Sequence, residues 1–297
     1  MAYYDFERLN RDLTDKILSF NLPEKEHQYR LDRLNKAYHE SMANGLISTP
    51  YYNIAHEVKC IALMQTLGEI ALPLESKGEL GPDIRYKTNY IECVCCSLGD
   101  KVKNGLKDYI GEGTFDYRIK RNKLLTRITS SLESKVNYPE VLTKKGFTFR
   151  HSYKYIVFLG LGEVNMYLRK EDYGPEMNAV LFGEGDITVN VDSRARSITS
   201  VNRDYIDTIE NHNSSHVNVN LFLTKKYKQV SAVIYTNAGL YDDYTIYNTF
   251  IFTNPNACSS IKFRDFADMY YWSIGRSGMY TVKKNYKKIY IGSKRIY

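Results

Sequence analysis

Residues Gly81–Cys96 read GPDIRYKTNYIECVCC. A Gly-Pro turn delivers Asp83 to the start of a short strand, and a polar turn at Lys87–Asn89 leads into a second strand, Tyr90–Cys96, with Glu92 alone in apolar company. A carboxylate buried in a strand is costly unless something charged meets it. If the two strands form a hairpin, Asp83 and Glu92 project from one face, because alternate side chains share a face. Two carboxylates converging at a sheet end suit a hard cation such as Mg²⁺, which takes oxygen ligands.

Upstream, Asn53–Leu67 has helical spacing and is apolar almost all round from Val58 onward, so burial on most sides is expected. Glu57 opens that run. It reads either as a first-turn glutamate favoured by the helix dipole or as a third acidic group aimed at Asp83 and Glu92. Pro50 and the tyrosines after it read as a connector, Glu69–Leu74 as a strand and Ser76–Gly81 as its turn.

Downstream, a helix is expected over Phe115–Tyr138, capped by Thr114 and stopped by Pro139. Its apolar stripe is Leu124, Leu125, Ile128, Leu132 and Val136, an arc of about 120°. Lys135 falls inside that arc, about 20° from Leu124. A lysine on a core-facing arc needs a route to solvent or an acidic partner. Tyr153–Leu161 (YKYIVFLGL) and Gln229–Thr236 (QVSAVIYT) have the composition of buried central strands. Asn248–Thr253 reads as a partner strand, Ile261–Ile274 as a helix around Trp272, and the stretch between Leu161 and Gln229 as irregular.

The N-terminal part predicts two helices, Tyr4–Phe20 and Glu24–Ala43. The second has Tyr29, Leu31, Leu34 and Tyr38 as its apolar side and Asn44-Gly45 as its stop. The hairpin has no chemical signature of its own. Strands alternating with helices imply a mixed α/β sheet flanked by helices. The expected partition is a helical segment over 1–50, an α/β domain over 51–275 and a basic tail over 276–297.

Charge separates the tail from the rest. The chain carries 41 Lys and Arg against 34 Asp and Glu, a net +7, and Arg276–Tyr297 holds seven basic residues and no acidic one. Lys283, Lys284, Lys287, Lys288, Lys294 and Arg295 alternate there with Tyr280, Tyr286, Tyr290 and Tyr297. Bases mixed with aromatic rings suit a nucleic-acid backbone; lysines also guard exposed edge strands against aggregation. Five cysteines, three of them in one strand, do not form a disulfide framework. The C-x-C-C spacing is poor for zinc, and buried reduced thiols are expected. The charged N-terminus and the lack of any run near the roughly 18 apolar residues of a membrane helix predict a cytoplasmic protein with no membrane partner.

Other constellations carry less. His56-Glu57 is not H-E-x-x-H, because Cys60 stands where the second histidine belongs. His212 and His216 sit in an Asn/Ser-rich stretch that reads as a loop, Gly183-x-Gly185 is too short to cradle a phosphate, and G-x-S-x-G is absent.

The order of elements resembles the restriction-endonuclease-like PD-(D/E)XK superfamily, whose core runs helix, three-stranded meander, helix, strand. Glu57, Pro82-Asp83 and Glu92 are similar to its helix glutamate, its aspartate after proline and its strand glutamate. GPDI, the IEC strand, LTRITSSLESKVNY, QVSAVIYTN and NPNA further resemble landmarks of an uncharacterised bacterial subgroup of nuclease-like proteins, spanning about Glu57 to Ala257. The resemblance implies a metal-dependent nuclease acting on nucleic acid, DNA first. Asp83, Glu92 and a backbone carbonyl near Cys93 would hold Mg²⁺ or Mn²⁺, and Glu57 would orient a metal-bound water. The superfamily's lysine should stand at position 94, where this chain has Val94. Lys135 is the first candidate for a relocated lysine, and Lys87, sharing strand parity with Asp83, the second. A homodimer is implied by analogy with enzymes that cut both strands. The missing lysine leaves open a catalytically inactive nuclease-fold protein that binds nucleic acid or a partner. A structural carboxylate pair, or another metal-dependent hydrolysis, is a third possibility.

Overall fold

The computed structural model describes residues 3–96, 121–162, 173–194, 196–210, 215–274, 280–284 and 287–290. The Thr114 cap and the first residues of the helix expected from Phe115, together with His212, Lys294 and Arg295, lie outside these residues.

Three helices open the chain: α1 (Tyr3–Ser19), α2 (Glu24–Asn44) and α3 (Thr49–Leu67). Gly45 ends α2 in the left-handed conformation, at φ 64. Pro50 does not begin a connector. Ser48 caps α3, its Oγ accepting the Tyr51 N–H at 3.3 Å, and Pro50 occupies the first turn, where its missing N–H is harmless. Tyr51 and Tyr52 are therefore helical and buried.

Nine of the described strands build one mixed sheet, named here in the order in which they lie side by side. Its members are β1 (Ile70–Ala71), β2 (Ile84–Tyr86), β3 (Asn89–Cys95), β4 (Lys154–Gly160), β9 (Val230–Thr236), β10 (Thr249–Thr253), β11 (Tyr270–Ile274), β12 (Tyr280–Lys284) and β13 (Lys287–Tyr290). β1, β2 and β3 form an antiparallel meander, and β4 then runs parallel to β3. The strand expected over Glu69–Leu74 shrinks to two residues, because Pro73 offers no N–H to a ladder and Glu75–Lys77 winds into a 3₁₀ turn.

Between β3 and β4 lie α4 (Arg121–Val136) and α5 (Tyr138–Lys144). Pro139 does more than stop the preceding helix: it sits in the first turn of α5. The section read as irregular holds α6 (Tyr173–Phe182), a hairpin of β5 (Glu184–Asp192) with β6 (Ser197–Tyr205), and a short pair, β7 (Thr208–Glu210) with β8 (His216–Asn218). Ile261–Ile274 is not helical. After a 3₁₀ turn at Phe263–Asp265, Tyr270–Ile274 pairs parallel to β10, as its run of residues with high strand propensity allows.

Alternation along the central strands divides two cores. Tyr155, Val157 and Leu159 pack with Leu124, Leu125, Ile128, Leu132 and Val136 of α4. Ile156 and Phe158 pack with α1–α3 through Phe6, Leu13, Ile17, Ile61 and Met64. Each fully buried side chain of this kind contributes about 1.5–3 kcal/mol. Among the described residues no helix is long and apolar enough to cross a membrane.

Candidate functional site

In the β2–β3 hairpin Ile84 faces Ile91, Arg85 faces Tyr90 and Tyr86 faces Asn89. One step further along that register, Asp83 stands opposite Glu92. By strand parity both belong to the α4 side of the sheet, the side on which Cys96 is buried against α4. The Cys93 N–H donates to Asp83 Oδ2 at 2.7 Å, which locks the aspartate against β3. Glu92 is 3% exposed. Its Oε1 accepts a hydrogen bond from Lys135 Nζ at 2.6 Å, and its Oε2 is buried with no hydrogen-bond partner.

Lys135 reaches Glu92 from the last turn of α4, with its amine 4.8 Å from the centre of the Tyr138 ring. Tyr155 holds that turn by donating its hydroxyl to the Lys135 carbonyl at 3.1 Å, one of the carbonyls a helix end leaves without an internal partner. Burial, with Glu92 and Glu57 nearby, holds the Asp83 carboxyl well above the ordinary carboxylate range, against the Cys93 N–H and Lys135. Burial also raises Glu92, although Lys135 opposes it. Burial works against the Lys135 charge too, but Glu92 and Asp83 outweigh it, and the ammonium is held above its ordinary value. The site is thus two crowded carboxylates sharing one cation.

Glu57 projects from α3 and is held by a different set of charges. Its Oε1 accepts from Arg30 Nη1 at 2.7 Å, and its Oε2 lies 3.7 Å from Arg33 Nη2. Arg30, 4% exposed, also bonds Glu26 Oε1 at 3.0 Å, Glu75 Oε1 at 3.0 Å and the Pro73 carbonyl at 3.3 Å. The Ser76 N–H closes the network on Glu26 Oε2 at 2.9 Å. The helical hairpin therefore does have a chemical role: it neutralises Glu57 locally. The buried stripe of α2 is Glu26, Arg30, Leu34, Ala37 and Ser41, whereas Tyr29 on the expected apolar side is exposed. The recoverable signal was the Glu26–Arg30 pair four apart and in line with Leu34.

Lys87 is not brought to the carboxylates. It sits in the hairpin turn at φ 55, and its amine lies 3.4 Å from Asp265 Oδ1 and 4.7 Å from the centre of the Tyr86 ring. His56 turns away from Glu57. Its Nε2 bonds the Phe158 carbonyl at 3.0 Å and its Nδ1 the Tyr244 hydroxyl at 2.8 Å. Gly160 makes room for that ring, since a Cβ there would lie 2.5 Å from Nδ1.

The basic tail forms β12 and β13, and Lys283 faces Lys288 while Lys284 faces Lys287. These strands continue the same sheet on the edge away from β1–β3. From β3 to β12 is about 24 Å at about 4.8 Å per strand.

Among the described residues no trio of His, Cys, Asp or Glu side chains is grouped to hold a metal ion. The Asp83–Glu92 pair nonetheless fits a hard divalent cation of the Mg²⁺ type. Such ions are commonly held by one or two carboxylates, with water and substrate oxygens completing the shell, and Glu92 Oε2 is a buried oxygen with nothing bonded to it. The chain matches no protein-family model, no curated protein and no solved structure.

Proposed function

We propose that the chain is a metal-dependent nuclease with a divergent restriction-endonuclease-like site, hydrolysing phosphodiester bonds of nucleic acid, DNA in the first instance. The observation that carries the reading is the convergence of Asp83, Glu92 and Lys135 with one buried Glu92 oxygen unbonded. Support also comes from the order α3, antiparallel β1–β3, α4, parallel β4, which is the order of elements in the resembled core.

In this reading Asp83 and Glu92 would hold Mg²⁺ or Mn²⁺. When bound, the ion lowers the pKa of a coordinated water and offsets charge on the scissile phosphate. Lys135 opposes the protonation that burial favours at Glu92 and would set an ammonium beside the phosphate, taking the place of the lysine absent at Val94. Cys93 fixes the Asp83 carboxylate through its N–H. Glu57, tied to Arg30, acts on the pair through its field.

The test is cleavage of plasmid, single-stranded DNA and RNA with Mg²⁺, Mn²⁺ or EDTA, comparing wild type with Asp83→Ala, Glu92→Ala and Lys135→Ala. Metal-dependent cutting lost in all three variants is expected. A second reading, a nuclease fold that binds without cutting, is favoured by the engagement of Glu57 with Arg30 and Arg33. Nucleic-acid binding by wild type with no cutting in any metal would select it.

A further inference from the structure

Beside the carboxylates lies a second basic and aromatic stretch, Lys144–Lys154, KKGFTFRHSYK. Between Glu140 and Glu163 the chain has no acidic residue. The rings of this stretch form a small cluster of their own. Phe149 stacks on Tyr153 at 4.2 Å between centroids and meets Phe147 edge-on at 4.8 Å. All three pack against buried Tyr90 of β3, at 5.1 to 6.0 Å. The Arg150 N–H donates to the Tyr90 hydroxyl at 3.3 Å, and Lys154 Nζ donates to Thr88 Oγ1 at 3.0 Å. Phe147 also lies over Gly81, where a Cβ would come within 3.3 Å of its ring. The loop is therefore anchored to the Gly81-Pro82-Asp83 turn itself.

Anchoring leaves the basic side chains facing outward. Lys144, Lys145, Arg150 and His151 are exposed, as is Arg85, which stands opposite Tyr90 across the hairpin on the strand parity of Asp83. Among the described residues none of the five is paired with a carboxylate, unlike Arg30, Arg33 and Lys135. Glu140, one turn before Lys144 on α5, is exposed at the border of this face, and from 141 to 162 the charged residues are all basic. We infer that Arg85, Lys144, Lys145, Arg150 and His151 form the surface that seats a nucleic-acid backbone next to Asp83 and Glu92. This rests on nucleic acid being the ligand of the carboxylate site. It assigns substrate seating to this loop rather than to the lysine hairpin about 24 Å away.

Each phosphate contact adds about 0.9 to the slope of log affinity against log salt on duplex DNA. Removing three cations should flatten that slope by about 2.7. Over a fourfold rise in salt, wild type should then lose about 40-fold more affinity than the variant loses. The experiment is fluorescence anisotropy in EDTA with labelled single-stranded and duplex DNA of about 20 nucleotides. It compares wild type, Lys144→Gln/Lys145→Gln/Arg150→Gln, the charge-keeping Lys144→Arg/Lys145→Arg/Arg150→Lys, and Lys283→Gln/Lys284→Gln/Lys287→Gln/Lys288→Gln. The expected result is weaker binding and a flattened slope in the first variant and a wild-type slope in the second. Circular dichroism confirms that each variant is folded. DNA binding by wild type with an unchanged slope in the loop variant overturns this assignment while leaving the nuclease reading standing. Absence of any wild-type binding or cutting overturns both.

Discussion

Replacing Lys135 by methionine removes the one cation bonded to Glu92 among the described residues and leaves there a carboxylate that is 3% exposed with no described partner on either oxygen. Two routes bound the cost. If Glu92 stays ionised, breaking a buried pair costs about 3–5 kcal/mol. If it takes up a proton instead, holding it protonated at pH 7 costs about 1.4 kcal/mol for each unit above an ordinary carboxylate pKa near 4.3, or about 3.7 kcal/mol. The routes agree, and the partial exposure of Lys135, 23% of its side chain, trims the figure to about 3 kcal/mol. The pH dependence follows. By the protonation route Glu92 carries a proton in the folded variant and none in the unfolded chain, so lowering the pH from 7 to 5 recovers at most about 2.7 kcal/mol, less whatever the raised Glu92 of the wild type gains over the same range. The defect should shrink below about 1 kcal/mol at pH 5. Urea titrations at both pH values measure this. The double variant Lys135→Met/Glu92→Gln, which leaves Asp83 without Lys135 but relieved of the Glu92 charge, should return to within about 1 kcal/mol of wild type. On the proposed reading, cutting should be absent from Lys135→Met, from Glu92→Gln and from the double, which separates stability from chemistry. Equal stability of Lys135→Met and wild type at pH 7, or a defect of the same size at pH 5, would refute the buried pair.

Arg30→Met should cost about 3 kcal/mol in a urea titration, since it leaves buried Glu26 without a cation and leaves Glu57 and Glu75 to Arg33; a loss below about 1 kcal/mol would mean that the network is solvated. Lys59 is 3% exposed and donates to the carbonyls of Leu240 and Asp242, and burial pulls its pKa from 10.5 to about 8. Both states carry its proton below pH 8, and above that the folded state releases it first. Stability relative to Lys59→Met should therefore rise by about 3 kcal/mol between pH 8 and pH 10.5, and a flat difference across that window would show the amine to be solvated.

The parts of the fold that declared themselves locally were legible. Strand alternation in Tyr90–Cys96 put Glu92 on one face, and helical angles put Lys135 on the core-facing arc, because periods of two and 3.6 residues are properties of the chain alone. What failed was decided elsewhere in the molecule. Tyr270–Ile274 joins the sheet because β10 has an edge to offer, a fact absent from its own residues. Arg30 was invisible to a search for apolar stripes, although it is more deeply buried than Leu31. Lys87 had the right parity, but the left-handed turn residue carries its amine to Asp265.

The charge count explains why these misses matter to the proposed chemistry. Asp83, Glu92 and Glu57 would present three negative charges to a cation, and Lys135 offsets one of them. Arg30 and Arg33 take Glu57 out of the set as a ligand, leaving two carboxylates whose burial already pushes them toward protonation. A pair of that kind holds a divalent ion poorly by itself, because a proton competes for each carboxylate. A phosphate oxygen at the same site would add the missing negative charge, as is usual for Mg²⁺ sites built on few carboxylates. On the proposed reading, metal and nucleic acid therefore strengthen one another, and by linkage they do so equally in both directions. That dependence gives the loop at Lys144–Lys154 its significance: by raising the local concentration of phosphate beside Asp83, it would also raise the occupancy of the metal.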